Sequence, residues 1–132
     1  MDQRPLSPHL GVYKFTYTMS LSILHRITGV ATSIAFVAFA WWLMALASGP
    51  EAYATAMHCL SSPLAKLLLV GFTFSFVYHF CNGIRHLVWD TGRGLERAQA
   101  RRSGLAVVVA ALLLTALVLW LGCAALTVPV TP

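Results

Sequence analysis

The sequence predicts an all-α integral membrane protein with three transmembrane helices that form part of a heteromeric helix bundle. The chain has 132 residues, of which 58% are hydrophobic and only 10% are charged, and its mean hydropathy is +0.75. A soluble domain of this size cannot bury so much apolar surface. Three stretches without Lys, Arg, Asp or Glu, residues 27–47, 67–84 and 105–130, each reach the ~18–20 residues that a helix needs to cross a bilayer.

The chain is predicted to be a single membrane-anchor domain, residues 1–132, that begins with a polar arm over residues 1–20. Pro5 and Pro8 exclude a regular helix at the start of this arm. The arm is therefore expected to be extended or turned before the first helix begins.

The three helices are expected at about residues 20–48, 64–89 and 105–128. Ser48-Gly49-Pro50-Glu51 ends the first helix, because glycine and proline break helices. The segment after it is expected to be a loop that contains a solvated His58. The third helix carries no ionisable residue and is expected to supply packing and lipid contact only.

Lysine and arginine are distributed unevenly among the segments that flank the helices. Arg4, Lys14 and Arg26 precede the first apolar run, and the connection over residues 90–104 holds four arginines. Cytoplasmic loops carry the excess of basic residues in membrane proteins. The N-terminus and the 90–104 connection are therefore predicted on the cytoplasmic side (the matrix side in a mitochondrion), with the C-terminus outside.

The remaining composition excludes several classes of site. The net charge of +5 comes from residues that flank membrane helices, so it does not indicate nucleic-acid binding. Cys59, Cys81 and Cys123 lack CxxC spacing and predict neither an iron–sulfur cluster nor a disulfide framework. The apolar run that starts at Ile27 is too long for the h-region of a signal peptide, so a bacterial inner-membrane protein or a processed organellar one is expected.

The second helix ends in a polar stretch that runs from His79 through Gly83 and His86 to Asp90. Ionisable residues at membrane depth face a bundle interior, a cavity or a cofactor, because they are costly in lipid. At 3.6 residues per turn these four positions share one face, where Gly83 leaves a notch that a flat group can enter. His79 lies about 10 Å deeper than His86. The pattern suits haem ligation by His79; hydrogen bonding to a neighbouring helix is the alternative.

A second polar cluster lies at the start of the first helix. Ser22, His25 and Arg26 occur at offsets of three and four, so their side chains converge on one helix face at the inner membrane boundary. Such a trio can donate hydrogen bonds to a quinone oxygen or a haem propionate. Snorkelling of Arg26 toward lipid phosphates is the alternative.

A b-type haem requires axial imidazoles and donors for its propionates. His79 is deep enough to be axial, and His25 and Arg26 are near enough to the surface to hold propionates. The apolar runs of the first and third helices offer no further deep histidine. A bis-histidine haem would therefore take its other ligand from a partner polypeptide with its own membrane helices.

Three motifs occur in order along the chain: Ser7-Pro8-His9-Leu10-Gly11-Val12-Tyr13, SxxHRxTG from Ser22 to Gly29, and HxxxGIRHLxWD from His79 to Asp90. Together they resemble the cytochrome b subunits of succinate dehydrogenase, the large membrane-anchor subunits of respiratory complex II. The resemblance covers roughly residues 4–90, and the third helix matches only in position and apolarity.

The resemblance implies a site without catalytic residues but with contacts to one haem b and to ubiquinone. His79 would be the ligand to the haem iron from this chain, with the second histidine supplied by the small anchor subunit. The implied haem contacts are His79, His25, Arg26 and His86, and the implied ubiquinone contacts are Ser22, Arg26, Ile23 and Met19.

The resemblance also implies a membrane subunit, without flavin, of succinate:quinone oxidoreductase in the bacterial or mitochondrial inner membrane. Its partners would be the small anchor subunit, the iron–sulfur subunit, the flavoprotein subunit and membrane lipids, and the isolated chain would catalyse nothing. Two alternatives remain: a haem-bearing anchor of a fumarate reductase, and a haem-free structural anchor or small transporter subunit.

Overall fold

The computed structural model describes residues 16–127, and all the regular structure in that range is α-helical. The helices are α1 (Tyr17–Ala47), α2 (Pro50–Leu60), α3 (Pro63–Asp90) and α4 (Arg97–Thr127). The predicted all-α integral membrane fold is confirmed, since α1, α3 and α4 are each long and apolar enough to span a bilayer. The predictions for the arm up to residue 15, including Arg4, Lys14 and the first motif, lie outside the described residues.

The connection between the first two membrane helices contains a helix of its own, so the prediction of a loop there was wrong. Gly49 (φ 109°) ends α1, and Pro50 begins α2 at the position where a missing N–H costs nothing. The Ala-rich stretch that follows favours helix. His58 lies exposed in the last turn of α2. Ser62 then caps α3, its Oγ accepting a hydrogen bond from the Ala65 amide at 3.2 Å.

The last membrane helix begins earlier than its apolar run. α4 starts at Arg97, eight residues before the expected start at Leu105. Arginine, alanine and glutamine are good helix formers, and no glycine or proline interrupts the chain from Arg97 to Ser103. Three of the four arginines expected in a connection therefore lie on the polar first turns of α4. The hydropathy pattern did not reveal these turns, because it detects only the part of a helix that suits lipid.

α3 is the central helix, in extensive contact with both α1 and α4. The buried apolar core lies where these three helices meet. Its members are Leu21, Val77, Tyr78, Val107 and Ala111. Most large apolar side chains point away from it, such as Ile27 at 59% and Leu113 at 66% exposure. Lipid or partner helices must cover this outer surface, because apolar area of that extent is unstable in water.

Two contacts fix the start of α1 against its neighbours. The Tyr78 hydroxyl donates a hydrogen bond to the Leu21 carbonyl at 3.0 Å. Gly104 of α4 allows close approach, because a Cβ atom there would lie 2.6 Å from Leu21 Cδ1 and 3.2 Å from Tyr17 Cε1. These contacts bring the SxxHRxTG segment of α1 against the HxxxGIRHLxWD segment of α3.

A stack of three histidines as the candidate functional site

The imidazole of His25 lies between those of His79 and His86. The ring centroids of His25 and His79 are 4.1 Å apart with 6° between the planes, and those of His25 and His86 are 4.8 Å apart with 19°. Trp89 continues the column, its ring meeting His86 edge-on at 5.2 Å. The structure therefore brings together the histidines of the two polar clusters that the sequence placed on one side of the bilayer.

Hydrogen bonds to carbonyl groups define which ring nitrogen carries a proton in two of these histidines. His79 Nδ1 lies 3.1 Å from the His25 carbonyl, and His86 Nδ1 lies 2.7 Å from the Asn82 carbonyl. A carbonyl oxygen only accepts, so each Nδ1 must carry the proton and donate it. In the neutral ring each Nε2 then keeps its lone pair, which is the form of histidine that binds a metal.

The close approach between helices at this site occurs at Gly29 rather than at Gly83. A Cβ atom on Gly29 would lie 2.9 Å from His79 Cε1 and 3.3 Å from its Nδ1. Gly29 therefore lets the His79 ring lie against the backbone of α1. A Cβ atom on Gly83 would meet nothing within 4 Å, so the notch predicted there is open space.

Arg85 received no role in the sequence analysis beyond its place in the motif. In the structure its side chain is only 6% exposed. Its guanidinium donates to Ser103 Oγ at 3.0 Å, to the Ala100 carbonyl at 2.8 Å and to Asn82 Oδ1 at 3.3 Å. Its Cζ lies 3.9 Å from the centroid of the Trp89 ring, a cation–π distance. The first turns of α4 thus contribute polar contacts near the site through Ala100 and Ser103, which precede the apolar run expected to supply packing and lipid contact.

The one sequence signal for the burial of Arg85 is its spacing from other residues of α3. Arginine at a membrane boundary normally snorkels to water. Arg85, however, is seven residues from Tyr78 and three from Asn82, both at 0% exposure, so the three share the face of α3 that is buried in the bundle. That face could be recognised only if its burial were known.

The residues expected at the ubiquinone site lie on the first turns of α1. Ser22 and Met19 are half-buried, Ile23 is 42% exposed, and Arg26 is exposed. These side chains lie on both the packed and the open sides of the helix. Asp90 is exposed at the last residue of α3.

Within residues 16–127, the three cysteines and His58 add no metal-binding group to the stack. Among the described residues, no three His, Cys, Asp or Glu side chains lie together in a group that could hold a metal ion. Cys59, Cys81 and Cys123 are free thiols. His58 lies on α2, at the opposite end of the bundle from the stack.

Comparison with known proteins assigns the chain to a family. The family described as Succinate dehydrogenase/Fumarate reductase transmembrane subunit matches residues 1–118. The succinate dehydrogenase cytochrome b556 subunit of Rickettsia felis is 44% identical over 119 residues, which are 90% of this chain and 92% of the relative. That of Paracoccus denitrificans is 40% identical over 116 residues, 88% of this chain and 89% of the relative.

A mitochondrial relative matches as well. The succinate dehydrogenase cytochrome b560 subunit of Mus musculus is 44% identical over 117 residues, which are 85% of this chain and 68% of the relative. The chain belongs to the succinate dehydrogenase/fumarate reductase transmembrane subunit family, and the resemblance seen in its motifs is confirmed.

Proposed function

We propose that this member of the family is the membrane-anchor subunit of a succinate:quinone oxidoreductase that holds haem b jointly with a partner anchor subunit and forms part of the ubiquinone-reduction site. The observation that carries the proposal is His79, whose Nδ1 donates to the His25 carbonyl while its Nε2 keeps a lone pair. Three imidazoles stacked in one column of a membrane bundle are difficult to explain by packing alone.

The residues around the His79 ring leave one edge of it free, and their arrangement fits a haem bound at that edge. His79 would hold the haem iron through the lone pair of its Nε2. His25 covers a face of the His79 ring and leaves that in-plane direction to other groups. Gly29 allows the ring to lie close to α1, and the carbonyl bond holds its tautomer. When bound, haem b supplies an iron centre that accepts and releases one electron at a time.

The second haem ligand is proposed to come from a partner subunit. The lone pair of a ring nitrogen lies in the ring plane, so the nitrogen atoms of two stacked rings do not point at each other. His25 and His79 are stacked, with only 6° between their planes. Within this chain His25 is therefore suited to hold a propionate, together with Arg26 and His86, rather than to be the opposite ligand.

The ubiquinone contacts are proposed at Ser22, Arg26, Ile23 and Met19 on the inner end of α1. Ser22 and Arg26 supply a hydroxyl and a guanidinium that donate to quinone oxygens, and Ile23 and Met19 supply apolar wall. Quinone reduction consumes two protons, and Ser22, His25 and Asp90 are proposed to belong to their route. Replacement of Ser22 by alanine should raise the KM for a ubiquinone analogue; unchanged kinetics would remove Ser22 from the site.

The partners follow from the same proposal. An iron–sulfur subunit delivers electrons at the cytoplasmic or matrix face, where the arginines of the 90–104 segment and the N-terminus are proposed to lie. A flavoprotein subunit carries out succinate oxidation, and membrane lipids cover the exposed apolar surface of the bundle. In a bacterium the complex would lie in the inner membrane, and in a mitochondrion in the mitochondrial inner membrane.

The proposal is tested by the dithionite-reduced minus oxidised spectrum of the purified complex. We expect a b-type α-band that His79→Ala abolishes, because the ligand from this subunit is removed. His58→Ala is the matched control, since it removes an exposed imidazole on α2 and should leave the band unchanged.

The other outcomes separate the alternatives. A band that survives in His79→Ala would move the ligand to His25 or His86. Absence of a band in the wild-type complex would favour a haem-free structural anchor. Quinol:fumarate activity without succinate:quinone activity would favour the anchor of a fumarate reductase.

A further inference from the structure

Trp89, one residue before the end of α3, has its polar edge turned into the protein. A tryptophan at a membrane boundary usually directs its indole N–H to water or lipid headgroups. Trp89 is half-buried, and its Nε1–H donates instead to the Gly94 carbonyl at 3.0 Å. The hydrogen-bonding capacity of this indole is therefore used within the chain.

A second contact holds the face of the same indole. The Cζ atom of Arg85 lies 3.9 Å from the centroid of the Trp89 ring. Arg85 is itself fixed, because it donates to Ser103 Oγ and to the Ala100 carbonyl of α4. With one edge held by Gly94 and one face covered by Arg85, the indole has little freedom to turn.

The backbone of the connection between α3 and α4 makes the first of these contacts possible. Gly94 has a φ of 76°, a conformation that favours glycine, and a Cβ atom there would lie 3.5 Å from Trp89 Cδ1. Gly92 has nearly the same φ, 78°, but a Cβ atom there meets nothing within 4 Å. Its amide donates only to the backbone carbonyl of Trp89, at 2.8 Å. Of these two glycines, only Gly94 contacts the indole.

The indole in turn bounds the imidazole of His86. The two ring centroids are 5.2 Å apart with 70° between the planes, the edge-to-face arrangement that aromatic pairs prefer. His86 also stacks on His25 at 4.8 Å, and its Nδ1 donates to the Asn82 carbonyl at 2.7 Å. These three contacts fix the orientation of the ring and leave Nε2 for a bound group.

We infer that Trp89 is a positioning residue of the site. Held by Gly94 and Arg85, it keeps the His86 imidazole against His25 and so directs His86 Nε2 at the bound group. The connection between α3 and α4 thereby contributes to the site without touching the ligand. The inference rests on the proposed function for the identity of that group, the haem propionate.

The test is a ¹³C correlation spectrum of the histidine-labelled, dithionite-reduced complex in bilayers, with signals assigned by their loss in His25→Gln and His86→Gln. We expect one cross-peak between the rings of His25 and His86, and another between those of His25 and His79. Trp89→Leu, which lacks the aromatic ring, should abolish the first peak. Trp89→Phe, which lacks only the N–H donor edge, should weaken it. Both variants should keep the second peak.

Gly94→Ala and Gly92→Ala form a matched pair, because both put a side chain on a backbone of positive φ and only Gly94 contacts the indole. Gly94→Ala should weaken the peak between His25 and His86, and Gly92→Ala should preserve it. Equal losses in the pair would assign the effect to strain in the connection and overturn the inference. A peak that is absent in the wild type, or unchanged in both Trp89 variants, would overturn it as well.

The haem midpoint potential connects this arrangement with function. If His86 contacts a propionate, the potential should shift in Trp89→Phe and Gly94→Ala and keep its wild-type value in Gly92→Ala. A constant potential in variants that lose the peak would show that His86 does not contact the haem, which overturns the role assigned to Trp89. A wild-type complex without haem would refute the proposed function, whereas the cross-peaks would still decide whether Trp89 holds His86.

Discussion

α3 has two polar flanks at the same end of the bundle, and they differ in how completely their hydrogen bonds are made. On the flank toward α4, Arg85 donates to three acceptors and lies over the Trp89 ring. On the flank toward α1, His79 and His86 each use one ring nitrogen, and His25 Nδ1 makes no bond within the described residues. In lipid every polar group needs a partner, so the flank with unused bonding capacity is the one suited to a ligand.

Asn82 joins the two flanks. Its side-chain oxygen accepts from Arg85, and its backbone oxygen accepts from His86. The two flanks are therefore connected through Asn82, and they differ in what their polar groups do. The α4 flank holds the helices together, and the α1 flank is the one proposed to present nitrogen atoms to a bound group.

The largest expected effect after loss of the His79 band is on the α4 flank. Arg85→Leu removes three hydrogen bonds between or within α3 and α4, and at about 1 kcal/mol for each bond we expect the complex to lose about 3 kcal/mol of stability. Thermal denaturation of the detergent-solubilised complex measures this. The b-type band should remain in the complex that survives, because His79 is unchanged.

Arg101→Leu is the matched control for that variant, because Arg101 lies exposed on the same end of α4. It should change stability little. If Arg85→Leu abolished the band at normal stability, Arg85 would belong to the ligand flank, and the distinction between the two flanks would be wrong.

A smaller effect is expected from Gly29→Ala on the α1 flank. The new methyl group would lie 2.9 Å from His79 Cε1, so the ring or α1 must move. Overpacking of this kind costs about 2 kcal/mol. We expect partial loss of haem, measured as haem content per complex. The complexes that keep haem should show a shifted α-band in the reduced minus oxidised spectrum. Gly71→Ala, where a Cβ meets nothing within 4 Å, should retain full haem; equal losses in the two variants would show that the contact at His79 is unimportant.

The smallest effect is expected from Tyr78→Phe, between the two flanks. It removes only the hydroxyl that donates to the Leu21 carbonyl, a bond worth about 1 kcal/mol. A modest fall in denaturation temperature with an unchanged haem spectrum is expected. Tyr53→Phe on α2 serves as the comparison. A spectral change in Tyr78→Phe alone would mean that the start of α1 sets the geometry of the histidines.

Part of the candidate site follows from local pattern. Offsets of three and four place Ser22, His25 and Arg26 near one another on α1, and the polar end of α3 is costly in lipid unless it faces a site. The motifs then identified the family, which comparison with relatives confirmed. The roles of these residues toward haem and ubiquinone remain predictions.

Other parts of the site could not be predicted, because they depend on how helices rotate and slide against each other. Helical periodicity relates residues within one helix only. It could not show that His25 enters between His79 and His86, or that Gly29 rather than Gly83 lies against an imidazole.

The sequence by itself determined that the chain crosses the membrane three times, because the length and apolarity of a span are local properties set by the thickness of the bilayer. Hydropathy did not find α2 or the early start of α4, since helix formation outside lipid depends on propensity and caps. Only the tertiary structure decided that Arg85 turns inward to α4 instead of outward to water. The burial of a side chain depends on which neighbour covers it, and that neighbour is distant in the sequence.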